Sequence, residues 1–513
     1  MKWNVRIQVP RFLRGAPLSE SSPAAKPIAG SLKGNRMDVM SREILSPKDR
    51  LGRKILEYGL LILLVWAPLP LASVEAWSVL LIEIAALVLF SVYLLLDRKP
   101  VLNPRLAADT RFLKPALVGL FVFLVFQILP LPAAIVRMLS PRTAALRASY
   151  VPDSARGSVE TLSLLPGETL AAILELLAYV LIGYLVIRTV SHRKQMRRIM
   201  LTLVAVGVFE SLYGMWELTR AHPRLLFSPK TYGLDSVTGT FVNRNHFAGY
   251  LEMVIPLALG LIISRLDLFG EPGATFRARL ARIVDKGLTQ IVLLGAGLVV
   301  MSVALLLSNS RSGAAVLILS FILMSALAAH HFGQNLFHQA WIRRVVRIAF
   351  VLILIFGLYI GLEQMVGRFD VDKLLQDGRP RYWGTVLTMI GQFPLFGVGY
   401  GAFGGVYQAF DTAEMEYALV HAHNDYLEHL VELGLIGFGL LVFIIGWMLV
   451  KSFRTWSVRR HPEVKGLALG GLVSAAAIAL HSLTDFNLQI PANKLTFAVV
   501  LALTLKTAYH RKT

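Results

Sequence analysis

Two histidines two residues apart, His421 and His423, stand in the run HAHNDYLEHLVELG near the end of a long polar segment. An imidazole moves protons near neutral pH, and it also ligates metals. No third ligand is evident nearby, so proton transfer by one of the pair is the better reading. Arg311 sits in SNSRSG, a tight polar link between two long apolar runs. A snorkelling arginine at a helix end is the plain alternative, but the flanking Ser310, Ser312 and Gly313 would let backbone approach a ligand closely. Arg379 and Arg381 precede Trp383, where an ordinary salt bridge to Asp377 competes with anion binding. Asp370 and Asp372 form a DxD that could hold a divalent cation, though acidic pairs are common in acidic loops. Gly399, Gly401 and Gly404 spell GxGxxG, but no βαβ unit surrounds them, so a tight turn is expected. Histidines 330, 331 and 338 read as polar residues at a membrane boundary.

These residues must be positioned by apolar helices. Of 513 residues, 55% are hydrophobic and only 16% charged, with a mean hydropathy of +0.60. Soluble domains carry about a quarter charged residues, so the chain is expected to be an all-α polytopic membrane protein. No cysteine is present, which excludes disulfides, thiol nucleophiles and cysteine metal sites. Runs of about 20 apolar residues span a bilayer. About twelve are found: 56–73, 77–96, 115–131, 169–190, 199–218, 247–264, 288–308, 314–330, 345–362, 433–450, 466–483 and 495–510.

With the N-terminus inside, the inward segments hold over three times as many basic as acidic residues, while the outward ones are near balance. Both termini are therefore expected in the cytoplasm, and the net charge of +20 faces anionic lipid headgroups rather than nucleic acid. Residues 1–54, with twelve basic and four acidic residues, read as a disordered cytoplasmic tail without a cleavable signal peptide. Trp3, Val5, Ile7 and Val9 could touch the membrane surface. Residues 55–198 read as N-terminal transmembrane helices and 199–510 as the functional core; no internal repeat is visible.

Three outward segments are too long for simple turns: 132–168, 219–246 and 363–432. The last, between spans nine and ten, carries ten acids against four bases. Leu387, Ile390 and Phe393 recur at helical spacing, which predicts a helix over about Pro380–Gln392, stopped before Pro394. Asn424 or Asp425 can cap a second helix running into span ten, which sets His421 and His423 at a helix N-terminus. Glu175, Glu210 and Glu252 lie within spans and need partners or a cavity. Glu252 could reach a ligand, with a helix-packing hydrogen bond as the plain alternative. His481 and Asp485 flank the last outward turn and could brace it.

Taken together, five stretches resemble the O-antigen ligase and polysaccharide polymerase superfamily: GTFVNRNHFAGYLEMVIPLALG, SNSRSG, GRPRYWGTVLTMIGQFPLFGVGYGAFGG, HAHNDYLEHLVELGLIGFGLL and HSLTDFNLQIPAN. They occur in the family order over about residues 200–500. The resemblance implies a GT-C-like membrane glycosyltransferase of the bacterial inner membrane. It would use an undecaprenyl-pyrophosphate-linked glycan on the periplasmic face, with no metal and no cofactor. By motif it implies His423 as the catalytic base and Arg311 with Arg379 on the donor pyrophosphate. Asn243, Asn245 and His246 match a further family motif, and Arg381, His421, Asn424 and Glu252 are supporting or substrate candidates. The paired Arg-x10-Gly loops of some related polymerases are absent, since eleven residues separate Arg379 from Gly391.

The chemistry suits those residue types. A hydroxyl attacking an anomeric carbon must lose a proton, and an imidazole of ordinary pKa near ~6.5 can take it. Guanidinium groups bind phosphate oxygens bidentately and remain charged, so two of them can replace a metal at the leaving group. The expected activity is ligation of a glycan to lipid A-core in lipopolysaccharide or surface polysaccharide biosynthesis. Polymerisation of lipid-linked repeat units into O-antigen or exopolysaccharide, and glycosylation of a protein, use the same donor chemistry. A polysaccharide or lipid transporter is the rival on architecture, but no half-to-half similarity is visible.

Overall fold

A computed structural model describes residues 47–96, 104–152, 157–265, 288–332, 379–410 and 419–510. The long helices are α1 (Pro47–Trp66) and α2 (Ala76–Leu95). After the short α3 (Pro104–Asp109) comes α4 (Leu113–Ile128). Two small helices, α5 (Ala133–Leu139) and α6 (Pro141–Tyr150), precede α7 (Pro166–Thr189) and α8 (Arg193–Leu218). Then follow α9 (Arg244–Ile263), α10 (Leu288–Leu307), α11 (Arg311–Phe332), α12 (Arg379–Gln392) and α13 (Phe403–Tyr407). The last three are α14 (Asp425–Ser457), α15 (Pro462–His481) and α16 (Pro491–Ala508). Among the described residues the strands are two-residue pairs, β1 (Leu131–Pro132) with β2 (Val159–Glu160) and β3 (Arg224–Leu225) with β4 (Ser228–Pro229).

The chain is an all-α polytopic membrane protein. Eight described helices are long and apolar enough to cross a bilayer, and α4 is a shorter apolar helix. Eleven of the twelve expected spans fall on helices; the ninth, 345–362, lies outside the described residues. So do Asp370, Asp372, Asp377, His338 and residues 1–46 of the expected tail. The last part of that tail is helical, because α1 begins at Pro47 and takes in residues 47–54. Its expected span ends early, at Trp66: Pro68 and Pro70 cannot continue the helix, and Leu71, Ala72 and Ser73 turn through positive φ.

The centre of the bundle is the α9–α15 pair, each 83% buried over its apolar window. In lipid there is no hydrophobic drive between helices, so small residues that let backbones approach hold them together. A Cβ on Gly260 would sit 2.7 Å from the Gly466 carbonyl oxygen and 2.9 Å from Gly470 Cα. Acids in the spans find partners. Glu175 meets Lys494 Nζ at 3.2 Å and accepts from Tyr179, and Glu210 accepts from Thr240 N at 2.7 Å and Thr240 Oγ1 at 2.9 Å.

The expected helix before Pro394 is α12, and Asn424 is the cap of α14, its Oδ1 accepting from Tyr426 N and Leu427 N. Helix α14 is broken at Gly434 (φ 59°, ψ −174°). The freed backbone groups are taken up by the glycine-rich segment after α12. Val398 N and Gly399 N donate to the carbonyls of Val431 and Glu432, and Leu435 N donates to Pro394 O. Gln127 of α4 seals the junction by donating to Phe396 O at 2.7 Å and Glu432 O at 2.9 Å. The GxGxxG is thus a structural turn, with Gly399 at φ 114° and Gly401 at φ 78°.

Candidate active site

The turn Ser482–Phe486 between α15 and α16 gathers the beginnings of three helices. Asn245, the second residue of α9, donates from Nδ2 to Asp485 Oδ2 at 2.5 Å. Ser312, the second residue of α11, accepts from Thr484 Oγ1 at 2.9 Å. Asn424, the cap of α14, donates from Nδ2 to Leu483 O at 2.9 Å, and Asp425 N donates to Ser482 O at 3.0 Å. A fourth helix start is tied in through Trp383, one turn into α12, whose indole N–H donates to Ala422 O at 2.8 Å. Arg379 opens that helix one turn before Trp383, with Arg381 between them. Besides Asn424, side-chain oxygens cap two more of these ends: Asn243 accepts from Asn245 N at 2.8 Å and Ser310 Oγ from Gly313 N at 3.2 Å. Gly313 is required here, because a Cβ would lie 2.8 Å from Ala248 Cβ on α9.

Asp485 is the hub. Its Oδ1 accepts from Phe486 N at 2.9 Å and meets His423 Nδ1 at 3.2 Å, while His246 Nε2 approaches to 3.6 Å. Burial opposes charge on this carboxyl, but the two histidines outweigh it and hold Asp485 well below the usual carboxylate range. An ionised carboxylate only accepts hydrogen bonds, so the His423 proton belongs on Nδ1 and Nε2 carries the lone pair. The His423 side chain is 29% exposed, against 1% for Asp485. His423 also holds φ at +47°, a left-handed conformation that costs a non-glycine residue about 1–2 kcal/mol.

His421 forms a second pair. Its Nδ1 meets Glu428 Oε1 at 2.8 Å, and Glu428 Oε2 accepts from Ala422 N at 2.8 Å. Burial pulls the His421 pKa down, yet the Glu428 carboxylate outweighs it and the net shift is upward. The Phe486 ring separates the imidazoles: His421 stacks on it at 4.3 Å, and His423 and His246 meet it edgewise at 4.7 and 4.4 Å.

His421, His423, Asn424, Asn243, Asn245 and His246 thus converge on one end of the bundle, beside the hairpin that carries Arg311. Glu252 stands apart. Its carboxylate is buried against His481 Nδ1 at 3.0 and 3.1 Å, the helix-packing bond offered as its plain alternative. His481 therefore braces α9 against α15, whereas Asp485, expected only to brace a turn, orients His423. Trp383 and Phe486 also went unrecognised as parts of the site. Their partners lie 39 to 240 residues away, and no local spacing marks such contacts. Among the described residues no group of three or more His, Cys, Asp or Glu could hold a metal ion.

The geometry can lower the barrier to hydroxyl attack at a place where several helix dipoles present their positive ends to an anion. Comparisons with known proteins agree in kind. A family model described as O-antigen ligase matches residues 296–442, which include Arg311, Arg379, Arg381, His421, His423 and Asn424. The chain is 26% identical over 364 residues to the exopolysaccharide production protein ExoQ of Rhizobium meliloti (strain 1021), a match covering 64% of this chain and 72% of the relative. The chain is thus a multi-pass membrane protein similar to members of the O-antigen ligase and polysaccharide polymerase superfamily.

Proposed function

We propose that the enzyme transfers a glycan from an undecaprenyl-pyrophosphate carrier to an acceptor hydroxyl at the periplasmic face of the inner membrane, with both termini in the cytoplasm. The observation that carries this reading is the Asp485–His423 pair, set among four helix N-termini and next to the Arg311 hairpin. In this mechanism His423 Nε2 takes the acceptor's proton as the hydroxyl oxygen bonds to the anomeric carbon. The bond from that carbon to the pyrophosphate oxygen breaks, and undecaprenyl pyrophosphate departs. Asp485 keeps the imidazole in the right tautomer and stabilises the imidazolium that forms. Arg311 and Arg379 bind the pyrophosphate, where charge grows as the bond breaks, and the helix dipoles add to them. These cations take the place of a metal. His421, its pKa raised beside the Glu428 carboxylate, lies next to the base, and Asn243, Asn245, His246 and Asn424 fix the turn.

Two acceptors fit this chemistry. A growing exopolysaccharide chain is favoured by the name of the relative, whose similarity covers more of the chain than the family model does. Lipid A-core, the acceptor of a ligase, is favoured by the description of that model. Reconstitution in proteoliposomes with a defined undecaprenyl-pyrophosphate oligosaccharide separates them. A ladder of products from donor alone identifies the polymerase. One shifted product that requires lipid A-core identifies the ligase. No transfer by folded protein with both acceptors present would reject glycan transfer and favour transport.

Helix α14 is broken, as transporter helices often are at the membrane midplane. Here the break at Gly434 lies within three turns of the helix start, and the segment after α12 fills it. This supports a role in holding the site loop rather than in alternating access.

A further inference from the structure

The segment between α8 and α9 carries an apolar surface that the reaction does not use. Its β3–β4 hairpin projects Phe227, which is 90% exposed, followed by Tyr232 at 75% and Leu234 at 55%. Aromatic side chains this exposed are unusual in water, and two cationic groups beside them are taken up by the segment's own carbonyls. Arg224 folds back so that Nε donates to Leu226 O at 3.3 Å and Nη2 to Phe227 O at 2.5 Å. Arg224 N donates to Glu217 Oε2 at 2.6 Å, and the buried Lys230 ammonium donates to Ser236 O at 2.6 Å. A hairpin that satisfies its own backbone while presenting aromatics is built for a medium poorer in hydrogen bonds than water.

Its location names that medium. The Tyr213 hydroxyl on α8 donates to Arg224 O at 3.0 Å and accepts from Leu226 N at 2.7 Å, pinning the hairpin to one face of the helix. That face is an exposed apolar one on a helix long and apolar enough to cross a bilayer: Phe209, Leu212 and Trp216 lie on it, 45 to 55% exposed, and Tyr213 packs against Phe209 and Trp216. The Arg220 guanidinium lies 4.9 Å from the Trp216 ring centre, and aromatic and basic residues together mark the headgroup level.

We propose that this hairpin is a membrane-surface anchor, with Phe227, Tyr232 and Leu234 seated at the boundary between phospholipid headgroups and acyl chains. It continues the lipid-facing side of α8 and fixes the segment that ends at the Asn243 cap of α9. The chain has no cysteine, so single labels can be placed without removing any. Phe227→Cys and Tyr232→Cys, each carrying a nitroxide, are reconstituted in phosphatidylcholine–phosphatidylglycerol nanodiscs. Electron paramagnetic resonance power saturation then compares accessibility to oxygen and to nickel ethylenediaminediacetate. The expected oxygen-to-nickel ratio is several-fold higher at both positions than at Gln408→Cys, an exposed site beyond α13. Leu234→Cys substitutes for either variant that fails to fold. Equal ratios at all positions would overturn the anchor, meaning a surface bathed in water. Low access to both reagents would overturn it too, meaning cover by protein or glycan. The readout needs no enzymatic activity, so it stands apart from the test of glycan transfer.

Discussion

Asp485 controls His423 through a single geometry, and changes at either residue should differ in kind. Asp485→Asn keeps the shape but replaces an obligate acceptor with an amide that can donate, so the imidazole loses its preferred tautomer. We expect the turnover rate to fall at least about 10²-fold with little change in KM. Wild-type turnover by Asp485→Asn in proteoliposomes would show that the carboxylate is only a brace. The His421–Glu428 pair gives a pH signature. Its folded pKa lies above the usual histidine value, so its stabilisation is complete below the unfolded pKa of about 6.5 and is lost as pH rises through the folded value. The Tm difference between wild type and Glu428→Gln should therefore be largest at low pH and shrink in alkaline buffer. A difference constant across that range would contradict the ion pair. The histidines, arginines and Asn motifs were legible in the sequence because each sits in a short, recognisable string. Asp485 was read only as a brace of its own turn, because its partners His423 and Asn245 are 62 and 240 residues away.

At the scale of elements, the site loop is held by a helix that had to break. Gly434 occupies a left-handed φ, and a Cβ there would lie 2.4 Å from the Leu395 carbonyl. Gly434→Ala should cost about 1–3 kcal/mol and lower Tm in detergent, because neither the backbone angle nor the space suits alanine. An unchanged Tm would mean that the junction of α14 with residues 394–399 is loose. Arg379→Lys leaves α12 intact while replacing a bidentate fork with a point charge, so glycan transfer should fall while expression holds. Full activity would make Arg379 a structural residue. Helix α12 and the Asn424 cap were readable from local periodicity and capping chemistry. The break at Gly434 was not, because the apolar pattern runs through it and the residues that satisfy it belong to another segment.

For the whole molecule, the apolar runs were long enough to reveal the helices, and charge bias supplied an orientation. That orientation is testable in intact cells with a membrane-impermeant maleimide. Label should reach Gln408→Cys and not Lys194→Cys, which lies in the basic segment expected inside; the reverse pattern would invert the topology. How the helices come together was not legible, because small residues such as Gly260 and Gly470 pack by close approach and leave no hydropathy signal. The site exists only in that assembly, since α9, α11 and α14 meet at a turn contributed by residues 482–486. Its most direct test is His423→Ala, reconstituted beside the wild type with the same lipid-linked oligosaccharide. Glycan transfer should fall by about 10²–10⁴-fold while folding and insertion match the wild type. Transfer at the wild-type rate would contradict the assignment of His423 as the base.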